Sequence, residues 1–153
     1  MKSTALFVPF LMMNSLWSHA QNDRSSDKLN IVYIMTDDHS YQTISAYGGE
    51  LGKLAPTPNL DRLAKKGMLF QQAFVENSLS TPSRACLMTG LYSHQNGQRT
   101  LFGMVDTTKT FVSEILQQNG YQTAVVGKWH MRCEPKGFDY YQILFDQGAY
   151  YNP

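Results

Sequence analysis

Three short runs of this chain hold residue types that could do chemistry together. The first is Ser80-Thr81-Pro82-Ser83-Arg84, closed by Thr89-Gly90. Proline suits the first position of a helix, where its missing N–H costs nothing, and Ser80 or Thr81 then caps the free amides. A helix opening there brings roughly half a positive charge to the Ser80 hydroxyl. Arg84, one turn further on, adds a full charge. Such a site suits a tetrahedral anion held against a nucleophile. The second run is Asp37-Asp38. Adjacent carboxylates repel unless a cation or protons intervene, and their hard oxygens suit Ca²⁺ or Mg²⁺. The third is Lys128-Trp129-His130. There a cation able to bind an anionic oxygen flanks the same tryptophan as an imidazole able to move protons near neutral pH.

Taken singly, each run has a plain structural reading: a capped helix, a solvated turn, and polar residues beside an aromatic anchor. Their value depends on the elements that position them. Asn30-Ile31-Val32-Tyr33-Ile34-Met35 is apolar on both faces without alternation, which predicts a fully buried strand. It would deliver Asp37 and Asp38 just beyond its carboxyl end, where open α/β sheets keep their ligands. A helix is predicted over Pro58 to Lys66, with Thr57 as cap and Leu60, Leu63 and Ala64 facing inward. Asp61 in its first turn, Lys65 and Lys66 in its last, and Gly67 beyond all follow the dipole and cap rules. Met68 to Val75 reads as a second strand leading to Ser80, and a helix runs from about Thr81 to Thr89 and stops at Gly90. A further helix, Phe111 to Asn119, is expected to bury Phe111, Val112, Ile115 and Leu116 and to feed a strand over Tyr121 to Val126. If that strand continues, alternation places Lys128 and His130 on one face. Strands alternating with helices predict an α/β fold with parallel strands.

In this order, the strand ending in Asp37-Asp38, the Ser80 segment and the run Gly120 to His130 resemble the N-terminal part of the sulfatase family. The resemblance extends from Asn30 to about Tyr140. It implies part of an alkaline-phosphatase-like sandwich, a mostly parallel sheet flanked by helices. In that family a Cys or Ser is converted by a maturase to formylglycine, and the matching position is Ser80. The hydrated aldehyde attacks sulfur through one hydroxyl and releases the substrate alcohol. The other hydroxyl then loses its proton, and the sulfated adduct collapses to aldehyde and sulfate. By the same resemblance Asp37, Asp38 and residue 80 hold a divalent ion, usually Ca²⁺ with Mg²⁺ as the alternative. Arg84 neutralises the hydrate and sulfate oxygens, Lys128 contacts sulfate and formylglycine, and His130 helps deprotonate the diol. A sulfated glycan or aryl sulfate is the implied substrate.

Two other readings stay open at this point. One is a metal-dependent phosphoesterase or phosphotransferase with unmodified Ser80 or Thr81 as nucleophile. The other is a non-catalytic anion-binding remnant. Pro82 and Arg84 favour the sulfatase, since they belong to the pattern read by the modifying enzyme. Family members run to several hundred residues and place further metal and leaving-group residues downstream, so the resemblance implies an N-terminal piece with little activity by itself.

Composition sets wider bounds. With 153 residues, a net charge of +1 and 16% charged residues, nothing points to nucleic acid or an anionic membrane as partner. A hydrophobic content of 42% allows a packed core. Lys2, the apolar run Ala5 to Met13 and Ser18-His19-Ala20 read as a secretory signal over residues 1–20, cleaved after Ala20, followed by a polar leader over 21–29. The apolar run is shorter than the ~20 residues needed to span a bilayer. Export to the periplasm or medium is therefore expected. There the two cysteines, Cys86 and Cys133, could pair, although Cys86 lies in an apolar run suited to a buried thiol.

Overall fold

The computed structural model describes residues 28–144, 146–149 and 151. The signal read over 1–20 and most of the leader lie outside them. The chain divides into two units, residues 1–35 and 36–153. In the first, residues 28–35 have no regular secondary structure, so the strand expected over 30–35 is not formed. Val32 and Ile34 are 81% and 80% exposed. An apolar run gains from strand formation only when neighbours pair with it and layers cover both faces, and this one lies open.

The second unit is α/β. Two short 3₁₀ turns, Tyr41–Thr43 and Ser45–Tyr47, precede helix α1 (Glu50–Leu54), none of which the sequence pattern announces. Helix α2 (Pro58–Lys66) forms with the predicted ends. Thr57 stands at its N-cap but does not cap it with its side chain. Instead the Thr57 hydroxyl accepts the Ser45 N–H at 3.0 Å, and the Ser45 hydroxyl donates to Asp61 at 2.6 Å, pinning the helix start to the preceding turn. The inward face expected for α2 is also absent: Leu60 and Leu63 are exposed and Ala64 is only half-buried. Residues 68–75 form no strand, and Met68, Phe70, Phe74 and Val75 are all exposed.

Helix α3 spans Ser80–Thr89. It opens earlier than predicted, with Leu79 at the N-cap, so neither Ser80 nor Thr81 is the cap and Pro82 is the third helical residue. Proline is still tolerated there, because the first amides of a helix have no intrahelical partner. The helix closes at Gly90, whose φ of 65° is left-handed and whose N–H reaches the Cys86 carbonyl at 2.8 Å. A one-turn helix α4 (Ser93–Asn96) follows, then α5 (Val112–Gln118) with Phe111 at its N-cap. The Glu114 carboxylate accepts the Phe111 N–H at 2.9 Å and pairs with Lys136 at 3.0 Å, covering the positive end of α5. Phe111 and Ser113 are buried as α5 enters the core, whereas Val112 and Ile115, expected inside, are exposed.

Strand β1 (Ala124–Lys128) pairs in parallel with β2 (Tyr140–Leu144), with Ala124 opposite Tyr140 and Lys128 opposite Leu144. The ladder starts later than the predicted Tyr121 because Thr123 is spent on a clasp. Its N–H goes to the Asp139 carboxylate at 2.7 Å and its hydroxyl to the Gly137 carbonyl at 2.8 Å. Gly137 is needed at this corner: its φ is 74°, and a Cβ there would lie 2.6 Å from the Glu114 nitrogen. Ala85 and Met88 of α3, Val105, Phe111, Trp129 and Met131 form the core, with Val125, Cys133, Phe138 and Ile143 packed on it. Cys86 and Cys133 are both free thiols, so the pairing considered above is not made.

Candidate active site

The core clamps the segment Lys128 to Met131 against α3, and this brings the first and third chemical runs together. The guanidinium of Arg84 donates to the Lys128 carbonyl at 2.7 Å. The Lys128 ammonium donates to Asp37 at 2.5 Å and to the Gln147 side-chain oxygen at 3.0 Å. Arg84 also lies 3.8 Å from the other Asp37 oxygen. The Lys128 hydrogen bond, opposed by burial and helped by the charges of Lys128 and Arg84, holds the Asp37 carboxyl below its ordinary range.

The Ser80 hydroxyl contributes to the same lowering, which places it beside Asp37. Yet its oxygen is buried without a hydrogen bond of good geometry, as is the Nε of Arg84. Ser80 and Arg84 are one helical turn apart near the positive end of α3, and their incompletely met hydrogen-bonding capacity suits an anionic ligand. Asp37, Ser80, Arg84 and Lys128 are thus brought together. Asp38 is exposed, has a left-handed φ of 49°, and stands outside this network.

His130 reaches α3 by another route. The strand does not continue past Lys128, so the shared face expected for Lys128 and His130 is not formed, and the chain bends away over residues 131–133. Trp129 points into the core and donates to the Cys133 carbonyl at 2.7 Å, while His130 takes a left-handed φ of 53°. The His130 ring is buried, with Nδ1 3.1 Å from the Thr81 hydroxyl and Nε2 3.2 Å from the Asp146 carboxylate. Burial first, then the charge of Lys128, lowers its pKa; Asp146 opposes this, and Arg84 and Arg132 add to it. The ring is accordingly neutral at neutral pH.

Sequence reasoning missed Thr81 as a partner of His130, and Asp146 and Gln147 altogether. A signal did exist for the last two: polar side chains just after the carboxyl end of a parallel strand, where α/β sheets gather functional groups. His94 stacks on Tyr92 with ring centroids 5.9 Å apart. Among the described residues, no group of three or more His, Cys, Asp or Glu side chains is placed to hold a metal ion.

The sulfatase family profile matches residues 29–152. The chain belongs to the sulfatase family, and its α/β fold is part of the alkaline-phosphatase-like fold of that family. It is 43% identical to N-acetylglucosamine-6-O-sulfatase of Bacteroides thetaiotaomicron, across 98% of this chain and 27% of that protein. It is 34% identical to steryl-sulfatase of Homo sapiens, across 84% of this chain and 24% of that one. Among solved structures, BT4656 in complex with its substrate D-glucosamine-2-N,6-O-disulfate superposes with a TM-score of 0.71 at 47% identity, covering 75% of this chain and 23% of that chain. The chain therefore spans about a quarter of the length of these relatives.

Proposed function

We propose that this chain carries the nucleophile and sulfate-binding part of a sulfuric ester hydrolase acting on a sulfated glycan. One observation carries the reading: α3 sets the buried Ser80 hydroxyl beside Asp37, the carboxylate on which the cations Arg84 and Lys128 also converge. Two cations gathered near one hydroxyl through a shared carboxylate suit a tetrahedral monoester anion, whose oxygens their charge would neutralise as the ester bond breaks. Asp37 stays ionised and fixes the Lys128 ammonium, while neutral His130 has a ring nitrogen able to take a proton. The named sugar sulfatase at 43% identity and the disulfated glucosamine bound by the solved relative support an amino-sugar sulfate as substrate class.

Asp37 and Asp38 supply hard carboxylate oxygens and Ser80 a buried hydroxyl oxygen, donor types that fit Ca²⁺ first and Mg²⁺ second. Bound there, the ion would supply further positive charge to the sulfate and to residue 80. These side chains alone fall short of the about 6–8 oxygens that Ca²⁺ takes, so further donors are required. Conversion of Ser80 to formylglycine by a maturase would replace a weak alcohol nucleophile with an aldehyde hydrate. The N-terminal apolar run supports export, and among the described residues no helix is long and apolar enough to cross a membrane.

Peptide mass spectrometry on chain produced with a competent maturase should find the Ser80 peptide lighter by the mass of a pair of hydrogens. Unmodified serine from such cells counts against the formylglycine reading. Titration with glucosamine 6-sulfate in the presence of Ca²⁺ should show binding that Arg84→Ala weakens about tenfold or more. Equal affinity in the variant would remove the anion site. With aryl sulfate the 153 residues alone are expected to turn over little, with or without Ca²⁺.

A further inference from the structure

We propose that Thr81 and Asp146 are the two ends of a hydrogen-bonded relay that fixes His130 as the neutral Nε2–H tautomer, with its Nδ1 lone pair turned to the mouth of α3. The site it serves is the one read above, but the relay itself rests on side-chain chemistry. A carboxylate only accepts, so the 3.2 Å contact between Asp146 and Nε2 requires the proton on Nε2. In a neutral ring Nδ1 is then bare, and the Thr81 hydroxyl, 3.1 Å away, donates to it. The opposite tautomer would set the Nε2 lone pair against a carboxylate oxygen. The imidazolium would place another positive charge in a buried position already surrounded by Lys128, Arg84 and Arg132.

The backbone adds an independent observation. His130 and Asp146 both hold left-handed φ values, 53° and 49°, that side chains with a Cβ rarely adopt. Glycine would adopt the Asp146 conformation at lower energy, so the carboxylate is the part of that residue with something to contribute. Thr81 is fully buried and directly follows Ser80 in the first turn of α3. Orientation imposed on His130 by Asp146 is thereby passed to the turn that carries the nucleophile. Asp146 and Thr81 are positioning residues that act through His130.

The test is long-range proton–nitrogen NMR of the 153-residue chain labelled with ¹⁵N in its four histidines, the His130 signals being assigned by their loss in His130→Gln. Expected is an unprotonated Nδ1 and a protonated Nε2 at neutral pH. Asp146→Gly removes the carboxylate while easing the backbone, so the fold is not at risk, and His130 should shift to a mixture of tautomers. Asp146→Asn, whose carbonyl can still accept from Nε2, should retain the original signature. An Nδ1–H ring or an imidazolium in the unaltered chain overturns the proposal, and so does an unchanged His130 spectrum in Asp146→Gly. The readout needs neither turnover nor modified Ser80, whereas the Arg84→Ala titration reports on the sulfate site alone, so the two readings fail separately.

Discussion

Helices α2 and α3 are both short, both contain proline in the first turn, and both end at glycine, yet they stand at opposite ends of the packing scale. In α2 the apolar residues fall on one stripe and the charges complement the dipole, but no residue is buried, and Leu63 is 63% exposed. In α3 the pattern is mixed, and Thr81, Pro82, Ala85, Cys86 and Met88 are all buried. Local chemistry therefore decides where a helix starts and stops, while burial depends on what the rest of the fold brings to it. The helix that carries the reactive hydroxyl is the one held by tertiary contacts, as a site requiring fixed geometry demands.

The contrast can be broken at several places. Phe111→Ala empties a fully buried position that supports α3 and should cost about 3–5 kcal/mol in urea unfolding. Gly137→Ala forces a Cβ against the start of α5 at a left-handed φ, and a loss of about 1–3 kcal/mol is expected in the same assay. Thr81→Val keeps the shape but strips the donor from buried His130, which should cost about 1–2 kcal/mol and leave helix content by circular dichroism unchanged.

Stability should also follow pH in two steps of known sign. His130 in the folded chain has a pKa below its ordinary 6.5, so the unfolded chain binds that proton first. This part of the stability is present above pH 6.5 and is lost as pH falls toward the folded value, and His130→Gln should flatten that step. Asp37 likewise lies below its ordinary 3.8, and its contribution disappears at still lower pH, a step that Asp37→Asn should remove. Smallest of all, Leu63→Ala on the exposed face of α2 should change the unfolding free energy by no more than about 0.5 kcal/mol. A loss as large as that of Phe111→Ala would mean that α2 is packed after all.

The same division explains what could be read from the chain beforehand. The ends of α2 and the glycine stop of α3 were legible because caps, dipoles and left-handed glycines act within a turn. The runs 30–35 and 68–75 were misread because a strand is a relation between segments, and apolar character alone does not supply the partner. Residue type and order were enough to single out Asp37, Ser80, Arg84 and Lys128, which the structure gathers around the Asp37 carboxylate. They were not enough for the partners of His130: Asp146 follows β2, which lies beside β1 only through the parallel ladder, and Thr81 faces the ring only because the strand breaks after Lys128.

That ladder also acts as a ruler for the chemistry at its end. With Leu144 opposite Lys128, the residues that follow each strand meet in a fixed frame, Gln147 at the ammonium and Asp146 at the imidazole. Sliding β2 by one residue would turn its faces over and part both couples in a single step. Inserting or deleting a residue between Leu144 and Asp146 would do likewise while leaving every strand hydrogen bond intact. The spacing between sheet and carboxylate is thus as much a component of the site as the side chains themselves.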